Sequence, residues 1–241
     1  SSPPAPHPRR QACPPRPCRP LYKSKPMIRL DIFSDPVCPW CYIGKAHLDR
    51  ALANHPGHPF TIFWHPFQLN PEMPAGGLPK RAYLEAKFGG AAKVDAMLDR
   101  LREVASAAGV PFDPDLAPMM PNTLDAHRLV HWAGFDGLQS EIKDRLMRAY
   151  WLQCRDIGDR ATLADIAAEA GMDRVVTLRL LQSDADADDI RARDADARTK
   201  GVAAVPTFLV AQRYVVSGAQ PPELWAKVIA ELTAPPESQL N

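Results

Sequence analysis

No stretch of the 241 residues reaches the roughly 18 to 20 consecutive apolar side chains of a membrane-crossing helix, so a spanning helix is not expected. The first 26 residues hold no Asp or Glu. They also lack the apolar core of about 7 to 15 residues on which a secretory signal depends. A twin-arginine signal fails for the same reason, because Arg9-Arg10 is followed by Gln-Ala-Cys-Pro-Pro. A cytoplasmic location is the resulting expectation. Glycine is scarce, at 13 residues against 26 prolines, and no internal repeat is evident. A largely disordered chain is excluded by composition: 46% of residues are hydrophobic and 24% charged, enough for one or two domains with a real core.

The prolines are unevenly placed, nine of them falling in residues 1–26 together with six of the Lys and Arg side chains. With that +6 taken from the whole-chain +1, the remaining residues carry −5. A mildly acidic body argues against nucleic acid as the main partner, since such binding rests on neutralising phosphates. The proline-rich segment defeats helix and sheet and has little apolar surface to anchor it, so residues 1–26 read as a disordered Pro/Arg-rich tail. Met27, where the first strand pattern opens, is the expected natural start.

From there the periodicity is informative. Residues 27–33 (MIRLDIF) alternate like a half-buried strand, and residues 38–53 run at helical spacing until Asn54, His55, Pro56 and Gly57. Residues 60–64 form a second strand pattern. Residues 79–200 are helical almost throughout, with helices expected at 91–108, 122–132, 138–153, 162–170, 172–182 and 184–199. The helix at 162–170 has Thr162 and Asp165 in capping-box-like spacing, and that at 184–199 is so rich in Asp and Arg that it reads as a solvated face. Strands return at 206–210 and 214–217, a hairpin across Ala211, Gln212 and Arg213, before a closing helix at 221–232. Neither flank has enough strands for a sheet alone. The expectation is therefore an α/β domain, its two halves completing one sheet, interrupted by a helical insertion: residues 27–78 and 188–241 as the two halves, 79–187 as the insertion.

The chemistry concentrates at Cys38-Pro39-Trp40-Cys41, after a strand and at the start of a helix. Two cysteines three apart on a first helical turn can close a small disulfide ring, and the helix amides favour a thiolate on the outer sulfur. Cys38 is then the attacking thiolate, and Cys41, deeper in, resolves the mixed disulfide. Pro39 suits the first turn, having no N–H to leave unpaired. A structural disulfide is disfavoured in a reducing cytosol. A four-cysteine zinc site would have to recruit Cys13 and Cys18 from the proline-rich tail.

The segment SDPVCPWCYIGK resembles the active-site segment of the DsbA-like branch of the thioredoxin superfamily. Within that branch it is similar to the FrnE-like proteins, relatives of 2-hydroxychromene-2-carboxylate isomerase and kappa-class glutathione transferase. The resemblance continues through Phe67-Gln68-Leu69-Asn70-Pro71, residues 122–129 (NTLDAHRL), Arg155-Asp156-Ile157, residues 201–206 (GVAAVP) and Ser217-Gly218-Ala219-Gln220, and spans about residues 27–231. It implies a thioredoxin-like fold interrupted by a helical insertion domain. It also implies that Pro206 is cis and faces the cysteines, with the backbone of Val205 pairing with substrate or glutathione. Substrate binding then falls to Pro39, Trp40, Val205 and Pro206. Ala204 stands where relatives usually carry glycine, a difference of one methyl group.

Supporting positions are Asp35, which can help move a proton at Cys41 or simply form the turn, His65 at the end of the second strand, and Asn122, which is equally the natural cap of the following helix. Cys154 has no partner in sequence and reads as a buried small apolar residue. The leading function is a thiol-disulfide oxidoreductase acting on peptide or small-molecule disulfides, with no metal or resident cofactor and with glutathione open as co-substrate. A glutathione-dependent isomerase or transferase is the alternative, although its relatives usually carry serine where Cys38 stands; a noncatalytic binding protein is the third reading. The helical insertion offers surface for both a substrate lid and a homodimer.

Overall fold

A computed structural model describes residues 27–234, so the expected disordered tail at 1–26, Cys13 and Cys18, and residues 235–241 lie outside the described residues. Strand β1 (Ile28–Ser34) carries Leu30 and Ile32 into the core, but Asp31 between them is buried as well. The alternation had suggested a strand wet on one side. Position in the sheet overrides it: β1 is an inner strand, second of four in the sheet. It runs parallel to β2 (Phe60–Pro66), pairing Ile32 with Trp64, and antiparallel to β5 (Thr207–Val210), pairing Ile32 with Phe208. The N-terminal and C-terminal flanks thus do complete one sheet, as expected.

Helix α1 (Pro39–Asn54) connects β1 to β2 and packs against α9 (Pro222–Thr233), whose Trp225 lies fully buried with its ring edge-on to Phe208 at 4.8 Å. Gly44 lets α1 approach the chain on its other side. A Cβ there would sit 3.0 Å from Pro206 Cγ and 3.2 Å from Ala219 Cα. The hairpin from β5 to β6 (Tyr214–Ser217) turns through Ala211 and Gln212 at φ 54° and 56°, closed by the Arg213 N–H donating to the Val210 carbonyl at 3.0 Å.

Between the two flanks lie β3 (Leu78–Pro79), α2 (Lys80–Phe88), α3 (Ala91–Ala107), β4 (Met119–Met120), α4 (Leu124–Ala133), α5 (Gln139–Leu152), α6 (Arg160–Glu169), α7 (Arg174–Gln182) and α8 (Ala187–Thr199). The pairing of β3 with β4, Leu78 opposite Met120, is too short to leave a period-two signal and was not anticipated. Helix α6 is capped not by Thr162 but by Asp159, whose carboxylate accepts from the Thr162 N–H at 2.8 Å and from its hydroxyl at 2.9 Å.

The solvated face expected of the Asp and Arg side chains of α8 is present at Asp188, Asp189, Arg191 and Asp196, which are exposed, but Asp194 departs from it. Ile190, Asp194 and Ala197 are buried, and α8 packs on β2 and α4. Asp194 accepts the Gln68 N–H at 2.8 Å and holds Arg198 at 2.9 Å, and Arg198 in turn donates to the Gln68 carbonyl. A carboxylate that satisfies a buried backbone donor is worth burying, which composition alone does not reveal.

Candidate active site

The Cys38 N–H donates to the Asp35 carbonyl at 3.1 Å, closing a turn that places Cys38 at the N-cap of α1. Pro39 follows at the first helical position. The Cys41 N–H donates to Cys38 Sγ at 3.4 Å, so the sulfur acts as the capping atom. Across from it the Val205–Pro206 peptide is cis, and the Cys38 thiol donates to the Val205 carbonyl at 3.6 Å. That loop is held by Thr207 Oγ1 donating to the Ala204 carbonyl at 2.7 Å and by the Gly218 N–H donating to the Pro206 carbonyl at 2.8 Å. Cys38 and Cys41 are free thiols and both are buried; Trp40 between them is 39% exposed.

Burial opposes a charge on Cys38. It pushes the thiol well above its ordinary value, the hydrogen bond and charge of Cys41 and the charge of Asp35 push the same way, and only the Cys41 amide opposes them. The Cys41 amide at the helix N-terminus thus acts in the direction expected, toward the thiolate, while burial and the neighbouring charges act against it.

In front of Cys38 opens a cavity of about 360 Å³ with an apolar wall that includes Trp40, Leu84, Met97, Leu101 and Trp151. Three cations, Lys80, Lys87 and Arg100, also line it. Lys80 is buried, donates to the Pro114 carbonyl at 2.6 Å and sits 4.8 Å from the Trp151 ring and 5.1 Å from that of Tyr150. Burial lowers its pKa to about 8. The helical insertion thus supplies one wall of the cleft and the cysteine-bearing half the other.

Behind the cysteines lies a second group of polar side chains. Asp35, fully buried, accepts the Leu69 N–H at 2.7 Å, with Thr123 Oγ1 at 3.4 Å and the Val37 N–H at 3.5 Å, and His127 Nε2 lies 3.7 Å from it. Burial lowers the pKa of His127, and its Nε2, like Ser34 Oγ, has no hydrogen-bond partner. Lys143 of α5 is buried and donates to the Ser34 carbonyl at 3.0 Å, while Trp151, eight residues on, donates to the Pro36 carbonyl at 3.1 Å. One helix of the insertion therefore holds the turn that leads into Cys38.

Of the supporting positions, Asp35 is part of this buried group and makes the turn contact as well. Asn122 is structural: its side chain accepts the Leu124 N–H at 2.9 Å and donates to the Met73 carbonyl at 2.6 Å. His65 does not line the cleft. Its Nε2 lies 2.6 Å from Asp31 and its ring stacks on Phe33 at 4.9 Å. Cys154 is exposed rather than buried, at φ 53°, with its thiol donating to the Leu116 carbonyl at 3.0 Å, because it falls just past the end of α5 instead of on its packed face. Lys80, Lys143 and Gly44 were missed. A lysine in a helix reads as solvated, and a helical glycine shows its close neighbour only in three dimensions. Among the described residues no group of three or more His, Cys, Asp or Glu side chains is arranged to hold a metal ion.

The family model for DsbA-like thioredoxin domains matches residues 29–230. The chain is similar in structure to a probable DsbA oxidoreductase from Streptomyces coelicolor, at 31% identity and a TM-score of 0.76 over 87% of this chain and 92% of that one. It also shares its fold with the cytosolic disulfide reductase DsbM from Pseudomonas aeruginosa, at 24% identity and a TM-score of 0.62 over 88% and 98% of the two chains. An uncharacterized Bacillus subtilis protein, YwbO, is 26% identical over 210 residues, 85% of this chain and 96% of its own length.

Proposed function

The chain belongs to the DsbA-like thioredoxin family, and from that premise we propose that it is a thiol-disulfide oxidoreductase whose working pair is Cys38 and Cys41. The observation that carries the proposal is the placing of Cys38 Sγ between the Cys41 amide and the Val205 carbonyl, at the mouth of the cleft. The same carbonyl and the cis-Pro206 loop can pair with the backbone of an arriving substrate, in the manner of a short strand.

In the reductive direction, a Cys38 thiolate attacks one sulfur of the substrate disulfide and the other leaves as a thiolate. Cys41 then attacks Cys38 Sγ, closing the Cys38–Cys41 disulfide and releasing the second substrate sulfur. Two electrons pass from the pair to the substrate; the reverse sequence oxidises it. The resting thiol donates to Val205 O, so a substrate that takes that carbonyl as its own partner frees the sulfur for deprotonation, with the Cys41 amide left to stabilise the charge.

The cleft suits a disulfide with an apolar body and an anionic end, given its wall of Leu84, Met97, Leu101 and Trp151 and its three cations. Glutathione, a small anionic thiol, fits that description as co-substrate, and the cytoplasm is the proposed compartment. The pair of cysteines weighs against the glutathione-dependent isomerase, which has no use for a second one.

Insulin reduction and refolding of a scrambled disulfide protein test the reading. Cys38→Ser abolishes both activities, and Cys41→Ser accumulates mixed disulfides at Cys38. Full activity in Cys38→Ser removes the proposal, and glutathione-dependent isomerisation of a chromene carboxylate by that variant replaces it with the alternative.

A further inference from the structure

A lysine is seldom taken fully out of water without a partner of opposite charge, because the cost of desolvating an ammonium is several kcal/mol. Lys143 is 1% exposed, and among the described residues its one hydrogen bond is to a neutral acceptor, the Ser34 carbonyl. Its surroundings are Trp64, whose ring centroid is 5.6 Å from Nζ, and the electrostatic neighbours Cys41, Asp35, Cys38 and Lys45. The acid of that set, Asp35, spends its oxygens on Leu69, Thr123 and Val37, and among the described residues no lysine or arginine is bonded to it. Among the described residues, the negative charge that acts on Lys143 beside that of Asp35 is the one the cysteine pair acquires when it ionises.

We propose that Lys143 is the countercharge of the redox pair: a positioning residue, contributed by the helical insertion, whose ammonium favours the thiolate form of Cys38 and Cys41 from behind. The inference rests on the redox reading of those cysteines. It gives the insertion a role beyond walling the cleft, because the helix whose Trp151 holds the turn at Pro36 also carries the charge that sets how easily the pair ionises. Each thiolate forms by loss of its proton to solvent-borne base, and no group is transferred to the lysine. The charged and titratable side chains facing this process are Lys143 on α5, Asp35 on the turn, His127 on α4, and Lys45 with the two cysteines on α1. Burial lowers the pKa of Lys143 to about 8, and the charges of Cys41, Asp35 and Cys38 oppose that fall. Coupling of this kind is reciprocal: a lysine that favours the thiolate is itself held protonated by it.

Two measurements test the idea. In a chain with Cys13, Cys18 and Cys154 replaced by serine, the thiolate absorbance of the reduced pair is followed against pH with and without Lys143→Met, which keeps the length of the side chain and removes its charge. The midpoint is expected to rise by about one pH unit or more, the size of shift a close opposite charge produces. An unchanged midpoint overturns the proposal. So does a lowered one, because mere loosening of the fold lets water reach Cys38 and brings it down toward its ordinary value. Should the variant not fold, the ε-carbon signal of Lys143 in the full wild-type chain is titrated by NMR in the oxidised and reduced forms. A higher lysine midpoint in the reduced form supports the proposal, and equal midpoints overturn it. If the Cys38–Cys41 disulfide cannot be formed at all, it is the redox reading that falls, and the absorbance titration still decides the role of Lys143.

Discussion

Gly44 on α1 and Pro206 on the cis loop approach so closely that a methyl group on Gly44 would stand 3.0 Å from Pro206 Cγ. The helix that carries the cysteines and the loop that faces them are thus set against each other by a missing side chain. Gly44→Ala gains helix propensity worth up to about 1 kcal/mol but overpacks against Pro206 and the Ala219 backbone at a cost of about 1–3 kcal/mol. A net loss of about 1 kcal/mol is expected in chemical denaturation, with a larger loss for Gly44→Val and reduced disulfide reductase activity in both. A Gly44→Ala protein more stable than wild type would show that the loop yields freely.

Asp194 is expected to matter far more than its place in a charged helix suggests. Asp194→Ala strips the Gln68 N–H of its acceptor and Arg198 of its partner. A buried donor left unpaired costs about 1–3 kcal/mol, whereas alanine at the exposed Asp188 of the same helix should change stability by less than about 0.5 kcal/mol. Urea midpoints of the two variants compare them directly, and equal effects would contradict the buried role of Asp194.

Lys80 gives a pH signature. Its pKa falls from 10.5 to about 8 on folding, so the folded state binds fewer protons than the unfolded state between those values. Stability contributed at this site therefore rises with pH from about 8 to about 10.5, and the penalty is fully present below about 8. Lys80→Met removes the penalty. The variant should be more stable than wild type at pH 7, with the advantage narrowing steadily above pH 8. Thermal melts of both proteins at pH 7, 9 and 10 check the sign, and an advantage that grows with pH would refute it.

Met97 lines the cleft in front of Cys38. Met97→Trp should fill part of that space and raise KM for bulky apolar disulfides roughly tenfold, the scale on which hydrophobic pockets discriminate, while leaving a small disulfide nearly unaffected. Equal losses on both substrates would mean that the cavity does not receive the substrate.

The pair itself was legible because its chemistry is local: two cysteines three apart, a proline at the first helical position and a strand before them need no distant contact to be read. The broken α/β pattern was legible for a similar reason, since period-two and period-3.6 segments keep their character whatever packs on them. Burial was not. Asp31, Asp194, Lys80 and Lys143 look like surface residues in any window of sequence and are buried in the fold, while Cys154 looked like core and is exposed.

The sequence by itself determined the cysteine pair, its seat at a helix N-terminus and the order of elements that must close one sheet, all of which follow from spacing along the chain. Only the tertiary structure decided what surrounds that pair. Whether Cys38 rests as thiol or thiolate depends on how much water reaches it and which charges stand near it, and those come from Val205, Asp35 and Cys41. Lys143, contributed from the helical insertion, is placed among the same charges. Desolvation and Coulomb interactions fall off through space, not along the chain, so residues a hundred positions apart set the chemistry of two that are adjacent on a single turn.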